Sequence, residues 1–178
     1  NIPGAETCAV EFFSLSKSFN VTGARISFLV GRRDVIAACK KLRTQIDFGK
    51  FIPEQKAAIA AMTGPLEPIK AQCAEYQRRR DVCYRKLMEI PGVVTTEPKG
   101  AFYTMAKLPV DNAEDFQMYL LKEFSDHNET VMFAPGSGFY ATEGAGLSEI
   151  RIAYVRCAEE LERALDLLRI AIERYNSK

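Results

Sequence analysis

From Ile69 to Ile90 apolar residues recur in alternating steps of four and three: Ile69, Cys73, Tyr76, Cys83, Leu87 and Ile90, with Arg80 standing in the one gap. That period gives a helix one apolar stripe, so the run from about Glu67 to Glu89 is predicted to be a long helix that needs a layer to pack on. Pro91-Gly92 ends it, and Thr63-Gly64-Pro65 breaks the pattern before it, which marks a domain boundary there. Cys73 and Cys83 fall on the stripe and read as buried thiols.

The flanking sequence supplies that layer. Val93–Thr96 and Ala101–Ala106 read as strands joined through Pro98-Lys99-Gly100. Asn112 is suited to cap a helix carrying Phe116, Tyr119, Leu120 and Phe124 on one side. Thr130–Ala134 and Glu149–Val155 are further strands. A final helix sets Leu161, Ala164, Leu165, Leu168, Ala171, Ile172 and Tyr175 on a single stripe. The expectation is an α/β or α+β unit of three or four strands covered by two long helices.

Upstream, the mostly apolar run Cys8–Phe13 reads as a short strand ending at Ser14. Ala24–Val30 reads as a second strand closed by Gly31, with Arg25 near its start and facing away from Ile26 and Phe28. A helix is expected from about Arg33 and an alanine-rich one from Pro53 to about Met62, with proline in its first turn. Between the two strands lie Ser14, Ser16 and Lys17. Hydroxyls and an arginine fork can grip a phosphate, while a lysine amine can condense with an aldehyde. Pyridoxal phosphate (PLP) has both groups.

The run Ser14-Leu15-Ser16-Lys17-Ser18-Phe19-Asn20-Val21-Thr22-Gly23-Ala24-Arg25 resembles the signature of class I/II, fold type I, PLP-dependent aminotransferases, with Ser27 where that family usually has a second glycine. Gly100-Ala101-Phe102-Tyr103, Ala134-Pro135-Gly136-Ser137-Gly138-Phe139 and Glu149-Ile150-Arg151-Ile152-Ala153-Tyr154 follow in the order of the family's smaller domain. The resemblance implies that Lys17 is the Schiff-base lysine, that Ser14, Ser16 and Arg25 help hold the PLP, and that Arg151 binds the substrate α-carboxylate. It implies an α/β fold made of the end of the fold type I large domain, residues 1–63, followed by the small C-terminal domain, residues 64–178. The family's lysine follows a long first half, so the chain is expected to be the C-terminal portion of a larger enzyme. The intact enzyme is expected to be a cytoplasmic homodimer that moves an amino group between an amino acid and a 2-keto acid, the chain alone being inactive. A carbon–sulfur β-lyase and a cyclopropane-forming synthase share the lysine motif and stay open, as does a regulator whose aminotransferase-like domain senses the cofactor without turnover.

Composition narrows the remaining classes. The chain has 178 residues, 47% of them hydrophobic, and a formal charge of +1. That gives no general reason to expect nucleic acid. No apolar run approaches the roughly 20 residues needed to span a bilayer. The five cysteines, Cys8, Cys39, Cys73, Cys83 and Cys157, are scattered and contain no CxxC pair. They fit reduced thiols better than a disulfide frame or a metal site. Arg78-Arg79-Arg80 reads as a solvated helix face. The glycine-rich stretch from Gly136 to Gly146 reads as a loop at a substrate cleft, and His127 as an exposed loop residue.

Overall fold

The structure, a computed structural model, describes residues 2–178. The chain forms two compact units, one up to Ala71 and one over Gln72–Lys178.

In the first unit a single turn of helix, α1 (Ala5–Cys8), leads into β1 (Val10–Ser14), which pairs antiparallel with β2 (Ser27–Gly31). Val10 lies opposite Gly31 and Ser14 opposite Ser27. Cys8 therefore sits outside the strand expected for it. Gly4, at φ +81°, starts the turn, and Thr7 Oγ1 donates to the Gly4 carbonyl at 2.7 Å. Pairing begins only at Val10, where Gly31 adopts φ +132° and any Cβ would strike the Ala9 carbonyl oxygen; only glycine meets both demands. A short helix, α2 (Leu15–Ser18), opens the β1–β2 connection; α3 (Arg33–Arg43) and α4 (Ile52–Thr63) follow β2. Pro53 lies in the first turn of α4, where its missing N–H costs nothing. This unit buries little: Phe12 is 79% exposed, and Leu42, Ile46, Phe48 and Phe51 are also in solvent.

The second unit contains the real core. The long helix α5 (Glu67–Met88) is followed by β3 (Val94–Thr95), β4 (Tyr103–Lys107), α6 (Ala113–Lys122), β5 (Ala134–Pro135), β6 (Glu149–Ala153) and α7 (Ala158–Asn176). The four strands form one antiparallel sheet in the order β3-β4-β6-β5. Thr104, Ala106 and Ile150 are buried on one face of it, together with Tyr154 just past β6. Cys83 and Leu87 of α5, Phe116 and Leu120 of α6, and Leu165 and Leu168 of α7 join the same core. Each fully buried side chain of this size contributes about 1.5–3 kcal/mol. Asn112 caps α6, its Oδ1 accepting from the Glu114 N–H at 2.8 Å and the Asp115 N–H at 3.4 Å.

Two sequence expectations need correction here. Thr130–Phe133 is not a strand; the ladder is limited to Ala134 opposite Arg151 and Pro135 opposite Ile150. Val131 and Phe133 owe their apolar character to packing against the core, not to strand pairing. Cys73 is exposed although it shares the α5 stripe with the buried Cys83. The core reaches α5 only from Tyr76 onward, so the first turns of the stripe lack its cover.

Candidate active site

Ser14 ends β1 and caps α2: its Oγ accepts the Ser16 N–H at 3.2 Å and donates to Ser16 Oγ at 3.0 Å. Leu15 is 1% exposed and Ser16 8%, so these two residues fix the turn while Lys17 beside them reaches solvent. The Leu15 N–H donates across the hairpin to the Ile26 carbonyl at 3.3 Å, and Val21 N–H to the Ser16 carbonyl at 3.1 Å. Ser14, Ser16 and Lys17 thus share the mouth of the hairpin with the segment that carries Arg25, two residues before the Ser27 that pairs with Ser14.

Arg25 lies just outside β2, in a left-handed conformation at φ +47°, ψ +40°, after one turn of 3-10 helix over Thr22–Ala24. The strand position expected for it, facing away from Ile26 and Phe28, is corrected accordingly. Pairing stops at Ser14–Ser27 because β1 turns into α2 there, and the opposite segment must bend with it. A non-glycine residue in this region costs about 1–2 kcal/mol. Such strain persists where the surrounding chain holds it, and it concentrates at functional positions. Among the described residues the Arg25 side chain bonds locally, Nη1 donating to the Thr22 carbonyl at 3.1 Å.

As a donor set this mouth suits a phosphorylated aldehyde. Two hydroxyls and a guanidinium supply the donors a phosphate needs, and a primary amine stands beside them for the carbonyl. The residues present therefore fit PLP.

Arg151 belongs to the second unit. On β6 it faces away from the core, with Ala153 beside it, and it pairs with Met105 on one side and Ala134 on the other. Two rings flank it. Arg151 Cζ lies over the Tyr103 ring at 4.6 Å and over the Phe139 ring at 4.4 Å. Tyr103 comes from β4 and Phe139 from the turn after β5, so they approach from opposite sides of β6. Among the described residues the Arg151 side chain makes no hydrogen bond or ion pair. Neither ring was among the site residues read from the sequence. Tyr103 and Phe139 do occur in the family-like blocks around Arg151, but only strand register shows that they meet at it.

The Phe139 turn is tied down at several points. Ser137 Oγ donates to Glu114 Oε1 at 2.7 Å, and Tyr140 Oη to Glu149 Oε2 at 2.5 Å. Gly136 lies so close to β6 that a Cβ would sit 2.7 Å from both Cβ and the carbonyl oxygen of Glu149. The glycines of this loop thus serve close packing and turning.

The other polar features have structural partners. Arg78 and Arg79 both bond Glu75, whose carboxyl they hold down at about 2, Arg78 acting most strongly. Arg79 also donates to the Val155 carbonyl at 2.7 Å, and Arg80 pairs with Asp81 at 2.6 Å. His127 is exposed in a left-handed turn with Asn128. Burial pushes the Cys83 thiol up to about 12. Among the described residues no group of His, Cys, Asp and Glu could hold a metal ion, and no helix is long and apolar enough to cross a membrane.

The sequence model for aminotransferase class I and II matches residues 5–168. The chain belongs to that family. It is 35% identical over 164 residues to the glutamate-pyruvate aminotransferase AlaC of Escherichia coli, covering 92% of this chain and 39% of that one. It is 38% identical over 169 residues to the LL-diaminopimelate aminotransferase of Halothermothrix orenii, covering 93% and 41%. Among solved structures, a probable N-succinyldiaminopimelate aminotransferase from Thermus thermophilus superposes with a TM-score of 0.83 at 31% identity, over 96% of this chain and 44% of that one. The aspartate aminotransferase of Rhizobium meliloti gives 0.82 at 29% identity, over 97% and 44%. The chain therefore has the α/β structure of fold type I aminotransferases and spans about two fifths of the length of the relatives it matches. Class I and II aminotransferases use PLP.

Proposed function

We propose that the whole protein is a PLP-dependent aminotransferase exchanging an amino group between an amino acid and a 2-keto acid, and that this chain is its C-terminal portion. Residues 1–63 then close the large cofactor-binding domain and residues 64–178 form the small domain. One observation carries the reading: Ser14, Ser16, Lys17 and a strained Arg25 share one hairpin mouth in a chain of this family. PLP, when bound, supplies an electron sink that makes the amino acid's α-proton acidic. The chain's own residues do the rest. Ser14, Ser16 and Arg25 would hold the phosphate through their hydroxyls and guanidinium. Lys17 Nζ would hold the cofactor's aldehyde end and would move a proton to and from the substrate α-carbon. Arg151 would take the substrate α-carboxylate through its planar fork.

The exposed Phe12, Phe48 and Phe51 fit a first unit that the remaining chain and a second subunit would cover, so the intact protein is proposed to be a homodimer and the chain alone inactive; the five free cysteines support a cytoplasmic setting for it. Borohydride treatment of the PLP-loaded, full-length protein is expected to fix the cofactor on the peptide containing Lys17. Lys17→Ala is expected to abolish both the label and amino transfer. Label on another residue, or undiminished transfer in the variant, overturns the proposal.

A further inference from the structure

We infer that Tyr103 and Phe139 are positioning residues that clamp Arg151 between two rings and leave only the edges of its guanidinium open to an incoming carboxylate. The inference rests on the carboxylate role proposed above for Arg151 and goes beyond it by naming what holds the arginine in place.

Most other arginines of this unit are oriented by carboxylates. Arg79 has Glu75, Arg80 has Asp81, and Arg163 has Asp126 and Glu129. Arg151 differs: among the described residues its guanidinium makes no hydrogen bond or ion pair, and its contacts of defined geometry are the two rings at 4.6 and 4.4 Å. All five guanidinium N–H donors lie in its plane. Ring faces held against Cζ restrict where the guanidinium can sit and consume none of those donors. A carboxyl partner would restrict it equally well but would occupy the fork that must receive the ligand. Two parallel N–H···O bonds to a planar carboxylate then form at the open edge without reorganisation of the arginine.

Each ring has its own support. Tyr103 packs on Phe102 with ring centroids 4.6 Å apart, and Phe102 stacks on Tyr76 at 5.6 Å. Phe139 is held by the Ser137–Glu114 and Tyr140–Glu149 bonds on either side of it. The clamp thus joins α5, β4 and the β5–β6 loop at one arginine.

The test uses the PLP-loaded, full-length protein and two probes that react with the cofactor aldehyde. Aminooxyacetate carries a carboxylate; methoxyamine does not. The second-order rate constant for loss of cofactor absorbance is measured for each, and their ratio reports the carboxylate site alone. Phe139→Leu and Tyr103→Leu are each expected to lower the ratio about five- to thirty-fold, the size of a partly desolvated cation–π contact, with the methoxyamine constant unchanged. Phe139→Tyr and Tyr103→Phe, which keep the rings, are expected to preserve it, and Arg151→Lys to lower it. An unchanged ratio in both leucine variants, with a lowered one in Arg151→Lys, overturns the clamp and leaves the carboxylate role standing. Parallel loss of both rate constants in the leucine variants also overturns it, since that marks general disruption. An unchanged ratio in Arg151→Lys removes the carboxylate role and the clamp together.

Discussion

Arg25 offers a test in which stability and cofactor affinity should move independently. Its left-handed backbone, at φ +47°, costs an ordinary residue about 1–2 kcal/mol, and glycine pays none of it. Glycine instead adds about 0.5–1 kcal/mol of unfolded-state entropy. The bond lost, from the exposed guanidinium to the Thr22 carbonyl, lies at the weak end of the roughly 0.5–1.5 kcal/mol range. These terms nearly cancel, so Arg25→Gly should leave the stability of the apo protein within about 1 kcal/mol of the parent. Affinity should behave differently. Charge-assisted bonds to a phosphate are worth about 1.5–3 kcal/mol, which corresponds to a PLP dissociation constant raised roughly 10- to 150-fold. Arg25→Ala keeps the backbone strain and removes the guanidinium, so it should lose the same affinity while being less stable than Arg25→Gly. Urea unfolding of the apo full-length protein and spectroscopic titration with PLP measure the two quantities separately. If Arg25→Gly binds PLP as tightly as the parent, the phosphate role fails. If it destabilises the apo protein by more than about 2 kcal/mol, the residue is retained for folding and the strain argument fails.

Cys83 should resist thiol reagents in the native protein, while the exposed Cys8, Cys73 and Cys157 react; equal labelling of Cys83 on peptide mapping would contradict its burial. Its folded pKa of about 12 lies above the usual thiol value of 9.0, so its contribution to stability is complete below pH 9 and is lost as pH rises toward 12. Cys83→Ala should flatten that part of the stability–pH curve, and an unaltered slope would assign the loss to other groups. Gly136→Ala places a Cβ against Glu149 and should cost about 1–3 kcal/mol by forcing β5 off β6, read as a lowered denaturation midpoint; an unchanged midpoint would refute the close approach. Asn112→Ala should cost about 1 kcal/mol and Asn112→Gly a few tenths, so equal losses in thermal unfolding would mean that the cap adds nothing.

Long elements were the most legible. The stripes of α5 and α7 repeat over enough turns that helix period outweighs any local accident; the observed limits of α5 lie within a residue of the sequence reading, and the whole stripe from Leu161 to Tyr175 falls inside α7. Short strands were less so. Val131 and Phe133 alternate like a strand but pack as an irregular segment, because two residues of pairing suffice to close the sheet there. Periodicity also cannot say how far a covering layer extends, which is why Cys73 and Cys83 look alike in sequence and differ in burial.

Sequence alone determined the kinds of groups available and their order: two serines, a lysine and an arginine at fixed spacing, and a later arginine on an alternating strand. Covalent connectivity sets those, and no packing can change them. Tertiary structure decided the geometry: that Arg25 sits in a strained turn outside β2, and that Tyr103, Arg151 and Phe139, far apart along the chain, meet from two strands and the turn after β5. Such meetings depend on register and sheet order, which arise from burying one face of the sheet as a whole rather than from any local stretch of residues.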